Sequence, residues 1–376
     1  MRGLRKYAMN VRSGRPLIAV ATGLIALVAV SAAAAATVWP SASQEIARAG
    51  ISSSTAFCGH KSITLAVEDG YGINAWSQAS YAAVKSTAAE CKDVKVVTFA
   101  GGGVESTAIQ QINSAVALGA NAMTVIPDFG AAENPATAAA EKAGVKVVDW
   151  AVNPSGVKGQ DYYDYIDFNN TYAATRWAQW MVKALHGKGN VIFLGGPAGN
   201  PYAEDQVAQI DKVFAAHPAM HLLTGATSYA VTNWDPATAQ TVTASLLSQF
   251  PVINGVITNY GTDALAADQA FLKAGRKLVP IVGLDANGLS CLAKKYNEPL
   301  YTVSSRNWLG RIAARVAIAA AEGVPNGEPT NPSLYKLPAW EDTLAGLTYK
   351  CNASLPADFY SSDKLTAAQL LKYGTN

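Results

Sequence analysis

The chain has 376 residues, half of them hydrophobic and 15% charged, which is typical of a globular rather than a disordered protein. This length exceeds that of one typical core, so we expect two domains. The net charge of +2 and the lack of a lysine and arginine stripe argue against a nucleic-acid partner.

The amino-terminal segment predicts export from the cytoplasm. Basic residues between positions 2 and 15 precede an alanine-, leucine- and valine-rich run from Leu17 to Ala36. A basic start, an apolar middle and a small-residue end are typical of a signal peptide, which we assign to residues 1–40. Cleavage is favoured, although the run is also long enough for a retained anchor. Residues 41–60 are predicted to be a linker, and the mature protein to be soluble and periplasmic or otherwise extracytoplasmic.

From residue 63 onward, short β-branched runs alternate with helical patterns. The predicted strands of the first set are 63–67, 94–99, 122–126, 145–150 and 165–168. The predicted helices between them are 75–91, 105–118 and 135–143. These strand runs are apolar throughout rather than alternating, which indicates a parallel sheet covered on both faces.

The pattern then restarts. The predicted strands of the second set are 191–194, 222–227, 255–258, 281–284 and 300–304. The predicted helices are 173–185, 203–216, 238–250, 264–274 and 309–322. Two successive sets of βα units indicate an α/β protein with two similar doubly wound lobes. Residues 324–332 are predicted to form a loop, and the remaining tail to be a C-terminal addition.

Four cysteines, Cys58, Cys91, Cys291 and Cys351, predict disulfides in an exported protein. Three pairings are formally possible. We favour Cys58–Cys91, because each precedes a predicted strand of the first βαβ unit, and Cys291–Cys351, because both lie late in the chain. Buried free thiols are the alternative. Zinc ligation is disfavoured, because no CxxC motif or nearby histidine accompanies the cysteines.

Ligands of open parallel sheets bind beyond the carboxyl ends of the strands. In the first lobe, the residues at these positions are Asp69, Tyr71, Asn74, Trp76, Asp149 and Trp150. In the second lobe, they are Asn200, Tyr202, Gln206, Trp234, Asn259, Tyr260, Asp285, Ser305, Asn307 and Trp308. Aromatic faces cover the C–H surface of a sugar ring, while amides and carboxylates bind its hydroxyl groups. The set therefore predicts a carbohydrate-like ligand.

The order and spacing of these segments resemble the type I periplasmic binding proteins of sugar ABC transporters, the ribose and galactose class. The resemblance covers residues 62–323 and is carried by ITLAVEDGYGINAW, VVDWA, VIFLGGPAGNPYAEDQ, GVITNYGTDALAADQAFLKAG and IVGLDANG. It implies a hinge of three crossings, near 167–169, near 305–307 and within 323–332. The implied lobes are 61–167 with 306–325, and 168–305 with 326–376. The implied function is that of a monomer that delivers a small sugar or polyol to an ABC permease.

The resemblance also implies roles for individual residues. Trp76 and Trp234 match the stacking aromatic residues of the two lobes, and Asn74 matches a polar contact beside the first. Asp149 and Asp285 match the two carboxylates of the family that bind hydroxyl groups of the ligand. An asparagine of the family matches Asn259 or its neighbour Tyr260, and a glutamine of the ribose binders matches Ser305. Trp150, Tyr202, Gln206 and Asn307 complete the expected binding set of twelve residues.

Two positions depart from the family pattern. Trp150 and Gln206 stand where family members carry arginines, so two charged donor groups are missing. This argues against ribose or galactose and favours a sugar alcohol, a deoxysugar, a larger glycoside or a less polar ring.

Other functions remain as alternatives. The tryptophans also suit a nucleoside or an aromatic solute, and Asp149 with Asp285 could imitate the acid pair of an exported glycoside hydrolase. No cofactor is expected, because the glycines at 101–103 do not complete the dinucleotide-binding fingerprint. No catalytic motif or metal site is predicted.

Overall fold

The computed structural model describes residues 55–327, 333–363 and 365–374. The predicted signal peptide and most of the predicted linker lie outside these residues. The described part contains two sheets, each built mainly of parallel strands and flanked by helices. The predicted α/β fold with two doubly wound lobes is confirmed.

The first lobe begins with five strands and three helices. The strands are β1 (Ile63–Asp69), β2 (Val94–Ala100), β3 (Ala122–Ile126), β4 (Lys146–Trp150) and β5 (Asp164–Phe168). The helices are α1 (Ala75–Ala88), α2 (Glu105–Ala117) and α3 (Asn134–Lys142). All of these strands pair in parallel.

The chain then crosses into the second lobe. Its strands are β6 (Gly189–Gly195), β7 (Met220–Leu222), β8 (Ala230–Val231), β9 (Gly255–Thr258), β10 (Ile281–Leu284) and β11 (Leu300–Val303). Its helices are α4 (Asn170–Ala184), α5 (Pro201–Phe214), α6 (Pro236–Gln249), α7 (Gly261–Lys273) and α8 (Asn287–Tyr296).

The chain returns to the first lobe with α9 (Leu309–Glu322), which packs against α1, β3 and β4. The remaining elements are β12 (Ser333–Tyr335), β13 (Ala339–Asp342) and α10 (Ala367–Tyr373). The sheet orders are β12-β5-β4-β3-β1-β2 in the first lobe and β13-β11-β10-β9-β6-β7 in the second, where β8 also pairs with β6. Of these strands, β13 alone runs antiparallel to its neighbour.

Side-chain caps fix where several helices begin. The Oδ1 atoms of Asn74, Asn169, Asn200 and Asp235 each accept a backbone N–H from the first turn of α1, α4, α5 and α6. Proline follows the cap in α5 and α6, where its missing N–H costs no helical hydrogen bond. These caps lie at the carboxyl ends of strands, so they also set the edges of the space between the lobes.

One predicted strand is wrong, and one helix of the second lobe was not predicted. The predicted strand 222–227 shares only Leu222 with β7, because the chain turns after Leu222: the Gly225 N–H donates to the Leu222 carbonyl at 3.1 Å, and Gly225 adopts a φ of +102°. Helix α8 was not predicted, since Asn287 and Gly288 at its start are weak helix formers.

Both favoured disulfides are present. Cys58 is joined to Cys91 in the first lobe, and Cys291 in α8 is joined to Cys351 in the tail. The described cysteines include no free thiol.

The tail belongs to both lobes. The prediction placed 326–376 with the second lobe, but β12 pairs with β5 of the first sheet while β13 pairs with β11 of the second. Helix α10 then packs against α1 of the first lobe. The tail is therefore part of both sheets and of the hinge, not a separate addition. No helix in the described part of the chain has the length and hydropathy to span a membrane.

Candidate ligand-binding cleft

A cavity lies between the carboxyl ends of the two sheets. Six of the twelve residues predicted to bind ligand line it: Asn74, Trp76, Tyr202, Trp234, Asn259 and Tyr260. Further lining residues are Asp69, Tyr71, Ser77, Ile126, Asp128, Val152, Leu284 and Arg306.

Trp76 is held in place by the hinge. Its Nε1 donates to the carbonyl oxygen of Ser305 at 2.7 Å, and its ring stacks on Trp150 with centroids 5.8 Å apart. Asn74, two residues earlier, caps α1 by accepting the Ser77 N–H at 2.9 Å. The first lobe thus presents an indole whose orientation is fixed before any ligand binds.

Trp234 faces the cavity from the second lobe. Its Nε1 donates to Oδ1 of Asn259 at 3.0 Å, and its backbone adopts a φ of +49°. A side chain at Gly196 would place its Cβ 2.3 Å from the indole, so glycine is required beneath the ring. The Nδ2 of Asn259 is buried and has no hydrogen-bond partner among the described residues. It is therefore a donor available to a ligand in the cleft.

Contacts across the cavity join the two lobes. The Tyr71 ring meets the Trp234 ring edge-on, with centroids 5.9 Å apart. The Nδ2 of Asn200 donates to the carbonyl oxygen of Asp128 at 2.9 Å. The structure therefore shows the lobes in a closed arrangement.

Two carboxyl groups line the first-lobe side. Burial raises the pKa of Asp69 to about 6, although the N–H groups of Tyr71 and Gly72, which donate to its Oδ1 at 2.9 and 2.7 Å, limit the rise. Burial, reinforced by the charge of Asp69, raises the pKa of Asp128 well above its ordinary value. Carboxyl groups with raised pKa values can accept hydrogen bonds from hydroxyl groups, or donate hydrogen bonds to them, near neutral pH.

Arg306 was not among the predicted binding residues. It follows Ser305 within the predicted second crossing, and its backbone φ is +64°. Its Nη1 donates to the Tyr202 hydroxyl at 3.1 Å, its Nη2 donates to the Ala151 carbonyl at 3.0 Å, and its Nε lies 3.5 Å from Oδ1 of Asp167. Among the described residues that line the cleft, it is the one basic side chain. The sequence contained one indication of this role: Arg306 is a charged residue within a segment predicted to cross between the lobes.

Asp149, predicted to bind hydroxyl groups, does not line the cleft. Successive residues of a strand point to opposite faces, and Val148 and Trp150 of β4 join one apolar core while Val147 joins another. Asp149 lies on the Val147 side, fully buried, with no hydrogen-bond partner for either carboxylate oxygen in the described structure. Burial, with the charges of Glu141 and Asp161, raises its pKa well above the ordinary value.

Asp285, the second predicted carboxylate, is occupied by the protein itself. Its Oδ1 accepts the Ser305 N–H at 2.7 Å and the Ser362 hydroxyl at 2.6 Å, and its Oδ2 accepts the Ser362 N–H at 3.1 Å. Burial raises its pKa to about 6, and the hydrogen bonds from Ser362 and Ser305 oppose this rise. It holds the hinge and the tail instead of lining the cleft.

Of the other four predicted residues outside the cleft, three hold Trp76 in place. Ser305 fixes the Trp76 indole, Trp150 packs against it, and Nδ2 of Asn307 donates to the Trp76 carbonyl at 2.8 Å. Gln206 is fully buried within α5. With Asp149 and Asp285 both outside the cleft, the acid pair of a glycoside hydrolase has no geometric basis here.

Comparisons with known proteins agree with this geometry. A family model described as "Periplasmic binding protein domain" matches residues 69–325. The chain is 29% identical over 256 residues to the xylitol-binding protein of Mycolicibacterium smegmatis, covering 67% of this chain and 70% of that protein. It is 28% identical over 219 residues to a D-apiose import binding protein of Paraburkholderia graminis, covering 58% of this chain and 65% of that protein.

A solved structure shares the fold. The periplasmic binding component of the arabinose ABC transporter from Shewanella sp. ANA-3, bound to L-arabinofuranose, superposes with a TM-score of 0.65. It is 19% identical in sequence, and the match covers 73% of this chain and 91% of that one. At this identity, the similarity establishes the architecture of the two lobes.

Proposed function

The chain belongs to the periplasmic binding protein family, and from this premise we propose that it is the extracytoplasmic receptor of an ABC importer for a small sugar or sugar alcohol. It is a solute-binding protein and not an enzyme. The similar proteins are named for xylitol and D-apiose, a linear polyol and a branched pentose.

One observation carries the proposal. Two indoles from opposite lobes, Trp76 and Trp234, line a single cavity together with amide and carboxyl groups. Aromatic faces are suited to the C–H surface of a polyol or sugar, and the polar groups to its hydroxyls. The Nδ2 of Asn259 is a buried donor in this cavity without a partner in the described structure.

The charges of the cleft favour an uncharged ligand over an anion. Asp69 and Asp128 line it, and the one basic group of its described lining, Arg306, is already next to Asp167. A sugar acid or sugar phosphate would lack an unpaired cation and would meet two carboxyl groups. A neutral polyol can instead use them as hydrogen-bond acceptors or donors.

Membership of the family implies an ABC permease as partner and an extracytoplasmic location. We propose further that residues 1–40 are a signal peptide, that the mature protein is a monomer, and that the permease binds the closed form. Closure around the ligand would occur by rotation about the crossings between the lobes.

A thermal-shift series tests the ligand class. Xylitol, D-apiose, D-xylose, L-arabinose and myo-inositol represent the proposed class, while adenosine and benzoate represent the nucleoside and aromatic alternatives. A ligand present at about a hundred times its Kd adds about 2.7 kcal/mol to the free energy of unfolding. We expect stabilisation by at least one polyol or pentose. Stabilisation by adenosine or benzoate alone would contradict the proposal.

Variants then test the site. We expect Trp76→Ala and Trp234→Ala each to weaken binding by about a hundredfold or more, because each removes a stacking face from the ligand. Asp149→Asn is the matched control: it alters a predicted binding residue that lies outside the cleft, so the Kd should change by less than about twofold. Calorimetric titration measures all three. Loss of binding in the control with retention in both tryptophan variants would refute the assigned site.

A further inference from the structure

A second cavity lies beside the ligand cleft, at the hinge. It has a volume of about 120 Å³ and is lined by residues from both lobes, among them Asp167, Phe168, Asn170 and Asp205. Tyr202 lines this hinge cavity and the ligand cleft alike. The Tyr202 side chain is thus the wall that the two cavities share.

This wall is tightly packed. The Tyr202 side chain is 3% exposed, and the guanidinium carbon of Arg306 lies 4.3 Å from its ring centroid. The same carbon lies 4.7 Å from the Phe168 ring, and the Phe168 and Tyr202 centroids are 5.8 Å apart. The guanidinium packs against two rings that also contact each other, so this close packing leaves no open passage beside Tyr202.

The wall is also fixed from several directions. The Tyr202 hydroxyl accepts from Nη1 of Arg306, and the Tyr202 carbonyl accepts Nδ2 of Asn170 at 3.1 Å. Arg306 is in turn held by the Ala151 carbonyl and by Asp167, which also accepts the Tyr165 hydroxyl at 2.9 Å. A ligand that pushed Tyr202 aside would have to break this network.

We propose that Tyr202, held by Arg306, is the residue that limits the ligand to a single sugar-sized unit. This inference rests on the proposed function, because it concerns the length of the solute bound in the same cleft. The hinge cavity on the far side of Tyr202 has the chemistry for a second hydroxylated unit. Its described lining includes the carboxyl group of Asp205 and the amides of Asn153 and Asn170, and no basic side chain.

The test uses solutes that differ in length. D-xylose, L-arabinose and xylitol represent one unit, and xylobiose, maltitol and lactitol represent two. The wild-type protein should bind a one-unit solute and none of the two-unit solutes. Tyr202→Ala should join the cavities, so at least one two-unit solute should bind at least about tenfold more tightly than to the wild type. Tyr202→Phe keeps the ring and removes only the hydroxyl, so it should still exclude them.

The possible outcomes test the inference about Tyr202 and the proposed function separately. Tight binding of a two-unit solute by the wild type, or a folded Tyr202→Ala variant that gains none, would overturn the inference. Gain of such binding by Tyr202→Phe would also overturn it, because the ring would then not be the barrier. If Tyr202→Ala does not fold, Tyr202→Val opens the wall with a smaller packing defect and carries the same expectation. Failure of the wild type to bind any one-unit solute would instead count against the proposed function.

Discussion

Asp149 lies near the carboxyl end of β4 in the first lobe, and Asp285 directly follows β10 in the second. The two residues therefore occupy similar places in similar lobes. Both are almost completely buried. Asp285 accepts three hydrogen bonds from Ser305 and Ser362, whereas neither oxygen of Asp149 has a partner among the described residues. Equal burial therefore has different consequences, depending on which donors surround the carboxyl group.

The two pKa values reflect this difference. Burial raises the pKa of both groups, but that of Asp285 only to about 6, since three donors favour its charged form. The pKa of Asp149 rises well above its ordinary value, with no donor to oppose the effect. Glu68 and Glu133, which are also fully buried and have no hydrogen-bond partner in the described structure, behave in the same way. Asp285 is therefore a structural anchor, whereas burial favours the neutral form of Asp149, Glu68 and Glu133.

The largest expected effect comes from detaching the tail that supplies the donors to Asp285. Replacing Cys291 and Cys351 together by alanine removes a link across 60 residues of sequence, which should lower the free energy of unfolding by about 4 kcal/mol. Urea denaturation measures the loss. The matched control replaces Cys58 and Cys91, which lie 33 residues apart in the first lobe, and should lose a similar amount without altering the surroundings of Asp285. A loss below about 1 kcal/mol for the tail pair would show that the tail is held by its other contacts.

A somewhat smaller effect is expected at the anchor itself. Asp285→Ala removes the acceptor of three buried hydrogen bonds, and the Ser305 N–H and the Ser362 hydroxyl keep only their contacts within the serine cluster, so the variant should be less stable by about 2 kcal/mol. Asp285→Asn keeps one acceptor oxygen and should lose less. Urea denaturation at pH 7 compares the two variants. Equal stability of Asp285→Ala and the wild type would remove the distinction between the two aspartates.

The smallest expected effect is on the pH dependence of the free energy of unfolding. Each aspartate has a raised pKa in the folded state, so its contribution to stability is present at low pH and is lost as pH rises through the folded-state pKa. For Asp285, the loss falls between its ordinary pKa of 3.8 and about 6. For Asp149, burial raises the pKa well above its ordinary value, so the loss likewise begins above that ordinary value.

Neutral variants should therefore flatten the stability curve. Asp285→Asn should reduce the pH dependence between pH 3.8 and about 6, and Asp149→Asn should reduce it above the ordinary pKa of an aspartate, each by at most about 1.4 kcal/mol per pH unit. Urea denaturation between pH 4 and pH 9 measures both curves. An unchanged pH dependence in either variant would contradict the raised pKa of that aspartate.

The sequence was sufficient for elements that are apolar and sharply bounded. The predicted limits of β3, β9, β10 and α9 agree with the structure, because each is a continuous buried run between polar or glycine-containing segments. The tail could not be predicted in this way. Strands β12 and β13 have three and four residues, and their conformation depends on pairing with strands far away in sequence.

Prediction of the binding residues is limited in the same way, because the local sequence does not show contacts between residues that are far apart in the chain. Trp76 and Trp234 were found because aromatic residues at strand ends are visible locally. Asp149 was misplaced because β4 extends to Trp150, so the alternation of its side chains turns Asp149 away from the cleft. Asp285 occupies the expected place in the chain, but its acceptors are used by Ser362, which lies 77 residues later and is not visible from the local pattern.

The path of the tail determines which lobe a fluorescent label attached to it would report on. The chain is tied to α8 of the second lobe at Cys351, yet α10 ends against α1 of the first, where Gly374 lies close to the carbonyl of Gln78. A fluorophore attached to α10 would therefore report on the first lobe, and one attached near residue 352 on the second. A dye pair placed at these two points, only about twenty residues apart in sequence, would span the hinge and could follow opening and closing in real time.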